Sequence, residues 1–115
     1  MATFRTEETE KKYSEARDHG WDSGVCHLCS DPSIKEFAYW RIIDNLFPYD
    51  KIASTHHMLI PKRHVIEKDL TEEEKAELYS IKYGYVNDNY EFVMEVVPKG
   101  KTLPPHLHLH LLIAK

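Results

Sequence analysis

The sequence predicts an α+β fold, in which one main helix packs on an antiparallel sheet and a second helix lies near the N-terminus. A capping box beginning at Thr71 leads into a charged stretch with an apolar stripe, which is typical of an amphipathic helix. Aromatic, branched or alternating stretches on both sides of this helix are typical of strands. Strands grouped before and after one main helix favour a mixed antiparallel sheet over a parallel one.

The bulk composition indicates one ordinary globular domain. The chain has 115 residues, 42% of them hydrophobic and 30% charged, which is close to the commonest domain size and composition. The net charge of −4 argues against a nucleic-acid polymer as partner. No apolar run reaches the length of a membrane span, and no signal peptide is recognisable. We therefore expect one domain over 1–115 without a membrane partner, with 1–25 as its N-terminal helix and lead-in. Two cysteines three positions apart are not a secreted disulfide framework, so a cytoplasmic location is expected.

The first half of the chain is expected to contain a helix followed by strands. Residues 7–19 are rich in helix formers and stop at a glycine, which suits a helix end. Residues 21–33 are rich in small polar residues and contain a glycine and a proline, so they are expected to form a loop. Residues 35–44 carry aromatic and branched side chains that are typical of a strand. Residues 45–54 contain Pro48, so this stretch is expected to be an edge strand or a turn.

The second half is expected to place the main helix between strands. A short strand is predicted to end at Pro61, and the helix is predicted over residues 72 to about 83. The last two strands are predicted at 91–98 and 106–114. A five-stranded sheet accommodates these segments.

Histidines alternate with leucines in "HLHLHLL", residues 106–112. Side chains of a strand alternate between its two faces, so the three histidines are expected on one face and the leucines on the core face. Neutral imidazole is a nucleophile, an acid–base group and a metal ligand near pH 7. The segment is therefore a candidate active site, with a metal site or a merely polar strand face as the alternatives.

Two cysteines, Cys26 and Cys29, form a Cys-x-x-Cys motif. This spacing suits metal chelation if two more ligands are available. A redox-active pair is the alternative, although that motif is typical of a strand followed by a helix.

The histidine segment resembles the signature of the histidine triad (HIT) superfamily of nucleotide hydrolases and transferases, and matches it at every position. Three other segments, "CHLC", "NLFPYD" and "HHMLIPKRHV", are similar to family segments and follow in the family's order. Together the four segments extend from residue 26 to residue 112. The resemblance is to zinc-containing HIT proteins. It implies a HIT-like fold, a small nucleotide as substrate and a homodimer.

The resemblance also implies roles for individual residues. His108 would be the nucleophile that attacks the α-phosphate of a nucleotide conjugate and forms a covalent nucleotidyl-histidine. Water or a phosphate acceptor would then release the nucleotide. His110 and His56 would lie at the phosphate oxygens, and Asn45 would bind the ribose hydroxyls.

The segment before the triad, "GKTLPPH", departs from the family pattern of Gly-Gln-Ser or Gly-Gln-Thr. Lys101 stands in the place of the glutamine, and one more residue precedes the first histidine. Thr102 remains a candidate hydrogen-bond donor to the phosphate. Because of this departure, a non-catalytic module that binds nucleotide or is stabilised by zinc is the alternative to an enzyme.

A zinc site is the last implication of the resemblance. In zinc-containing members the ligands occupy positions that here are Cys26, Cys29, His64 and His106. Two thiolates and two imidazoles are a common set for tetrahedral Zn²⁺, and a set supplied wholly by protein is typical of a structural site.

Overall fold

The computed structural model describes residues 4–19, 26–97 and 106–115. Thr102 and the rest of "GKTLPP" lie outside the described residues. A 3₁₀ turn (Glu67–Asp69) precedes the main helix, and a π-helical segment (Lys82–Val86) follows it. The α-helices are α1 (Glu7–Asp18), α2 (His27–Ser30), α3 (Glu72–Ile81) and α4 (Asn87–Asn89). The strands are β1 (Ser33–Glu36), β2 (Trp40–Asp44), β3 (Ala53–Pro61), β4 (Phe92–Met94) and β5 (Leu109–Ala114).

The five strands form one antiparallel sheet in the order β1-β2-β3-β5-β4. The predicted α+β class and the number of strands are therefore confirmed. Strands β3 and β5 are neighbours, which brings the "HHMLIP" and "HLHLHLL" segments side by side. Among the described residues, no helix is both long enough and apolar enough to cross a bilayer.

Each face of the sheet carries a hydrophobic cluster. The cluster on the side of α3 contains Leu107, Leu109 and Leu111, as the alternation predicts, packed with Trp40, Ile42, Leu59, Leu70, Ile81 and Val86. The cluster on the other side contains Leu28, Ile43, Met58 and Ile60. The histidines belong to this second side, so the triad lies on the sheet face that α3 does not cover.

The predicted beginning of the last strand is wrong: β5 begins at Leu109, not at residue 106. Its partner strand ends at Pro61, which has no N–H for a further ladder bond. The Pro61 carbonyl oxygen instead lies 2.9 Å from Nε2 of the His106 ring. The backbone N–H of Leu107 donates to Val65 at 2.8 Å, outside the sheet.

The prediction of a single strand over 35–44 is also wrong, because this stretch forms parts of β1 and β2 joined by a tight turn. The carboxylate of Glu77, on α3, accepts hydrogen bonds from the backbone N–H groups of Ala38 (3.2 Å) and Tyr39 (2.7 Å). The turn is thus stabilised by a side chain about forty residues away in the sequence. It contains no glycine, proline or asparagine that would have indicated a turn.

The remaining boundaries differ in detail. The predicted loop 21–33 contains α2, and of the predicted strand 91–98 only Phe92–Met94 pairs with β5 among the described residues. The capping box at Thr71 is confirmed, since its side chain accepts from the Glu74 N–H and the Glu74 carboxylate accepts from the Thr71 N–H. The helix does not end near residue 83, because the π-helical segment and α4 continue it to Asn89.

Substitution of Gly84 by alanine is expected to stabilise the protein. Gly84 lies in the π-helical segment, and a Cβ atom built there meets no atom within 4 Å. Alanine restricts the unfolded chain more than glycine does, so we expect a gain of about 0.5–1 kcal/mol in the free energy of unfolding. Urea denaturation followed by far-UV circular dichroism measures this change. A lower midpoint for Gly84→Ala would contradict it.

Glu74 links the start of α3 to the end of β3, and its replacement by glutamine is expected to destabilise the protein at neutral pH. Its side chain is 2% exposed and accepts two hydrogen bonds from Arg63, at 2.7 and 3.1 Å. The Arg63 guanidinium lowers the pKa of Glu74 to about 2, so the carboxylate stabilises the fold at every pH above its ordinary pKa of 4.5. We expect Glu74→Gln to cost roughly 2 kcal/mol at pH 7.

This cost is expected to shrink as the pH falls from 4.5 toward 2, because the wild-type carboxylate then becomes protonated in the folded state too. Urea denaturation of wild type and Glu74→Gln at several pH values checks the trend. A difference that stays constant down to pH 2 would contradict the electrostatic explanation.

Candidate functional site

Three histidines form a buried cluster between β3 and β5. His56, on β3, lies against His110, on β5, with ring centroids 4.9 Å apart. His108 precedes β5 and meets the His110 ring edge-on at 5.2 Å. Each of the three is 4% exposed. The sheet thus brings together the two predicted catalytic histidines and His56, although His56 is separated from them by about fifty residues in the sequence.

Hydrogen bonds fix the tautomers of His56 and His110. The backbone N–H of Tyr49 lies 2.9 Å from His56 Nδ1, which must accept, so the His56 proton is on Nε2. That Nε2 lies 2.8 Å from His110 Nδ1 and donates to it, which places the His110 proton on its own Nε2. Among the described residues, the buried His110 Nε2 has no hydrogen-bond partner. It is therefore a donor available to a ligand oxygen.

Both of these histidines are held neutral. Burial, assisted by the nearby charge of Arg5, lowers the pKa of His56 to about 4. Burial, assisted by the neighbouring His56, lowers the pKa of His110 to about 3. Neutral rings are required by the donor and acceptor assignments, since a protonated imidazole cannot accept a hydrogen bond.

His108 has the opposite tautomer. Its Nδ1 lies 3.0 Å from the backbone carbonyl oxygen of His106, and a carbonyl oxygen only accepts, so the proton is on Nδ1. In the neutral ring the lone pair is then on Nε2. A nitrogen lone pair fixed in direction is what a nucleophilic histidine needs.

Asn45 and His57 lie on either side of this arrangement. Asn45 Nδ2 lies 3.3 Å from His56 Nε2, and its Oδ1 accepts the backbone N–H of Phe47 at 2.8 Å. The predicted ribose-binding residue is thus next to the histidine cluster. His57 points to the other face of the sheet, as the alternation predicts, with its Nδ1 2.6 Å from the hydroxyl of Tyr90.

Two residues of the site, Tyr49 and Arg5, were not predicted from the sequence. The Tyr49 ring lies over His56 and His110, with centroids 4.4 and 5.1 Å away. The guanidinium of Arg5 lies 5.1 Å from the Tyr49 ring, and its Nε donates to the carbonyl of Phe47 at 2.7 Å. Tyr49 belongs to the "NLFPYD" segment, and the resemblance of that segment to the family could have indicated Tyr49 as a site residue. Arg5 lies in a charged N-terminal stretch with no such signal.

The predicted metal ligands converge on one point. One ligand atom from each of Cys26, Cys29, His64 and His106 lies within 4.8 Å of all the others. His106 Nδ1 is 3.4 Å from both sulfur atoms, and His64 Nδ1 is 3.2 Å from Cys29 Sγ. These residues come from three distant segments, so they can hold a metal ion that connects those segments.

The tautomer of His106 fits a metal ligand. Its Nε2–H donates to the carbonyl oxygen of Pro61, so the lone pair on Nδ1 points toward the two sulfur atoms. A ligating histidine that donates its other N–H to a backbone carbonyl is the usual arrangement in metal sites. Burial lowers the pKa of His106, which favours the neutral, ligating ring. Burial is the main cause of a raised pKa at Cys29, and the neighbouring Cys26 raises it further. The charge of Arg41 acts in the opposite direction.

Comparison with known proteins identifies the fold. No protein-family model and no curated protein matches the sequence. Solved structures do match, among them one titled "Hit Like Protein" (TM-score 0.56, 22% identity, 74% of this chain and 87% of that chain). A HIT family hydrolase from Legionella pneumophila Philadelphia 1 matches with a TM-score of 0.53, 23% identity and coverage of 76% and 91%. A histidine triad protein from Clostridium difficile matches with a TM-score of 0.55, 20% identity and coverage of 78% and 90%.

These matches define the class of fold: the chain has the HIT-like fold, as the resemblance of its histidine segment implies. The matched chains are covered almost over their full length, so the shared fold is the whole domain of those proteins rather than a fragment of it.

Proposed function

We propose that the protein is a HIT-type nucleotide hydrolase or nucleotidyltransferase that acts at the α-phosphate of a nucleotide conjugate through His108. The observation that carries this proposal is the pair of complementary tautomers in the histidine cluster. His108 has its lone pair on Nε2, while the neighbouring His110 has its N–H on Nε2. A nucleophile beside a hydrogen-bond donor suits attack on a phosphate whose non-bridging oxygens need stabilisation. The HIT-like fold supports the same conclusion.

In the first step, the lone pair of His108 Nε2 attacks the α-phosphorus. A nitrogen–phosphorus bond forms, and the bond from phosphorus to the leaving group breaks. The leaving group departs with the bonding electron pair and takes up a proton from solvent. The adduct carries a positive charge on the ring, which the carbonyl of His106 stabilises through the Nδ1–H hydrogen bond.

In the second step, a water molecule or a phosphate acceptor attacks the same phosphorus. The nitrogen–phosphorus bond breaks, and its electron pair returns to His108 as the lone pair. The nucleotide product leaves, and the incoming water loses its proton to solvent. Splitting one displacement into two easier ones is the general advantage of covalent catalysis.

The other residues have supporting roles in this proposal. His110 donates its Nε2–H to a non-bridging oxygen, and His56 holds His110 in the donating tautomer. Asn45, next to the cluster, binds the ribose hydroxyls. Thr102, which lies outside the described residues, is included as a hydrogen-bond donor to the phosphate on the resemblance alone. A homodimer in the cytoplasm is part of the same proposal.

Zn²⁺ is the proposed ion for the four-ligand site, because two sulfur and two nitrogen donors suit it. It supplies a rigid connection between the segment of Cys26 and Cys29, the segment after β3 that carries His64, and the segment of His106. Since protein side chains fill all four positions, its role is structural. The connection ends two residues before His108, so it also restrains the nucleophile.

Intact-mass measurement of a trapped adduct tests the proposal. The protein is mixed with adenosine 5′-phosphoramidate, quenched in alkaline denaturant within one turnover, and weighed. We expect a gain of one nucleoside monophosphoryl unit on the wild type and none on His108→Ala. Nucleotide binding without an adduct or product release would contradict the enzyme and favour the non-catalytic module that the unusual "GKTLPP" segment suggests.

A further inference from the structure

Arg41 is a buried cation that contacts the cysteine-bearing segment. It lies on β2, is 9% exposed, and is on the sheet face opposite α3. Its Nη2 donates to the carbonyl oxygen of Leu28, and its Nη1 donates to the carbonyl oxygen of Asp31 and to the hydroxyl of Ser33 at 3.1 Å. One guanidinium thus holds three oxygens between α2 and the start of β1.

The helix of this segment is too short to be stable without hydrogen bonds from other parts of the chain. Helix α2 has four residues, with Cys26 as its N-cap and Asp31 as its C-cap, and Cys29 lies inside it. A helix of one turn is far below the length at which helices are stable in water. Its last carbonyls have no partners within the helix, and Arg41 supplies donors to two of the carbonyl oxygens there. The relative position of the two sulfur atoms therefore depends on this side chain.

The charge of Arg41 indicates the same role. Among the described residues, no carboxylate forms an ion pair with Arg41, although the carboxyl of Asp31 lies within its field. A buried charge is costly unless it is paired or hydrogen-bonded. The carbonyl oxygens of Leu28 and Asp31 and the hydroxyl of Ser33 are the acceptors that offset this cost, so the guanidinium and the cysteine-bearing segment fix each other's position.

We propose that Arg41 is a positioning residue of the metal centre. It holds Cys26 and Cys29 in ligating geometry through its hydrogen bonds to the segment that contains α2. Arg41 does not touch the metal itself. This inference rests on the metal site proposed above.

Cobalt(II) titration of the metal-free full chain tests the inference, because cobalt bound to thiolates has a charge-transfer band in the near ultraviolet. Arg41→Met keeps the length of the side chain but removes its charge and its donors. We expect it to bind cobalt 10–100-fold more weakly than the wild type, which is the usual effect of losing a residue that orients metal ligands. The matched control is Lys35→Met, which removes an exposed cation that lies over the Phe37 and Tyr85 rings. Its affinity is expected to equal that of the wild type.

Each result of this titration is decisive. Equal cobalt affinity in Arg41→Met and wild type would overturn the positioning role while leaving the metal site intact. Absence of the thiolate band in the wild type would overturn the metal site and this inference with it. If Arg41→Met does not fold, Arg41→Lys carries the test, since lysine keeps the charge but lacks the planar fork that reaches both carbonyls. We expect a weakened but measurable affinity for Arg41→Lys, and an unchanged affinity would overturn the role.

Discussion

Replacement of His108 by alanine is expected to lower the rate of nucleotide release by about 1,000-fold or more, since loss of a catalytic nucleophile typically costs that much. The fold should be retained, because the neighbouring leucines, not this ring, fill the core on the α3 side. Release of nucleoside monophosphate from adenosine 5′-phosphoramidate, separated by chromatography, measures the effect. His57→Gln is the matched control, because His57 lies on the opposite face of the sheet with Tyr90. It is expected to retain wild-type activity.

His110→Ala distinguishes nucleophile from donor in the same assay. We expect it to slow release by roughly 100-fold, in the range seen when one hydrogen-bond donor to a transition state is removed. The His108 adduct should still form in this variant, only more slowly. Residual activity of His108→Ala within tenfold of the wild type would show that another group attacks phosphorus.

The sequence identifies the members of this site better than it identifies their orientation. His106, His108 and His110 are recognisable by alternation, and Cys26 and Cys29 by spacing, because strand and turn periodicity constrain neighbouring residues directly. Tautomers depend on partners from elsewhere, such as the backbone N–H of Tyr49 at His56 and the carbonyl of Pro61 at His106. No local pattern encodes those pairs.

The fold, too, can be predicted where its signals are local and not where it depends on contacts between distant residues. The capping box at Thr71 is a local signal, and the structure has it. The turn between β1 and β2 is stabilised by Glu77, and the loop of Tyr49 by Asp50, which accepts from the Thr6 N–H at 2.9 Å. Each of these hydrogen bonds joins residues about forty positions apart, so sequence periodicity could not predict these contacts. Arg41 is a further case, since an arginine in a strand gives no indication of the loop it will hold.

Removal of the proposed Zn²⁺ is expected to have the largest effect on stability. The four proposed ligands come from segments around residues 26–29, 64 and 106, so in the unfolded chain they are far apart and would bind a metal weakly. A metal that binds only the folded state stabilises it by about 4 kcal/mol when its free concentration is a thousand times its dissociation constant. We expect a strong chelator to lower the free energy of unfolding of the wild type by about this amount, measured by urea denaturation.

Cys29→Ser is expected to have this lower stability from the start and to show little further response to the chelator, since a serine hydroxyl is a poor substitute for a thiolate ligand. Ser30→Ala, a change at the adjacent exposed position, should respond to the chelator as the wild type does. A wild-type midpoint that the chelator leaves unchanged would contradict a structural metal. Because His106 is both a proposed ligand and the carbonyl partner of His108, metal loss should also release the proposed nucleophile from its fixed tautomer. Stability and nucleotide release should therefore decline together when the metal is removed, whereas His108→Ala should lower release by about 1,000-fold or more and keep the wild-type response of stability to the chelator.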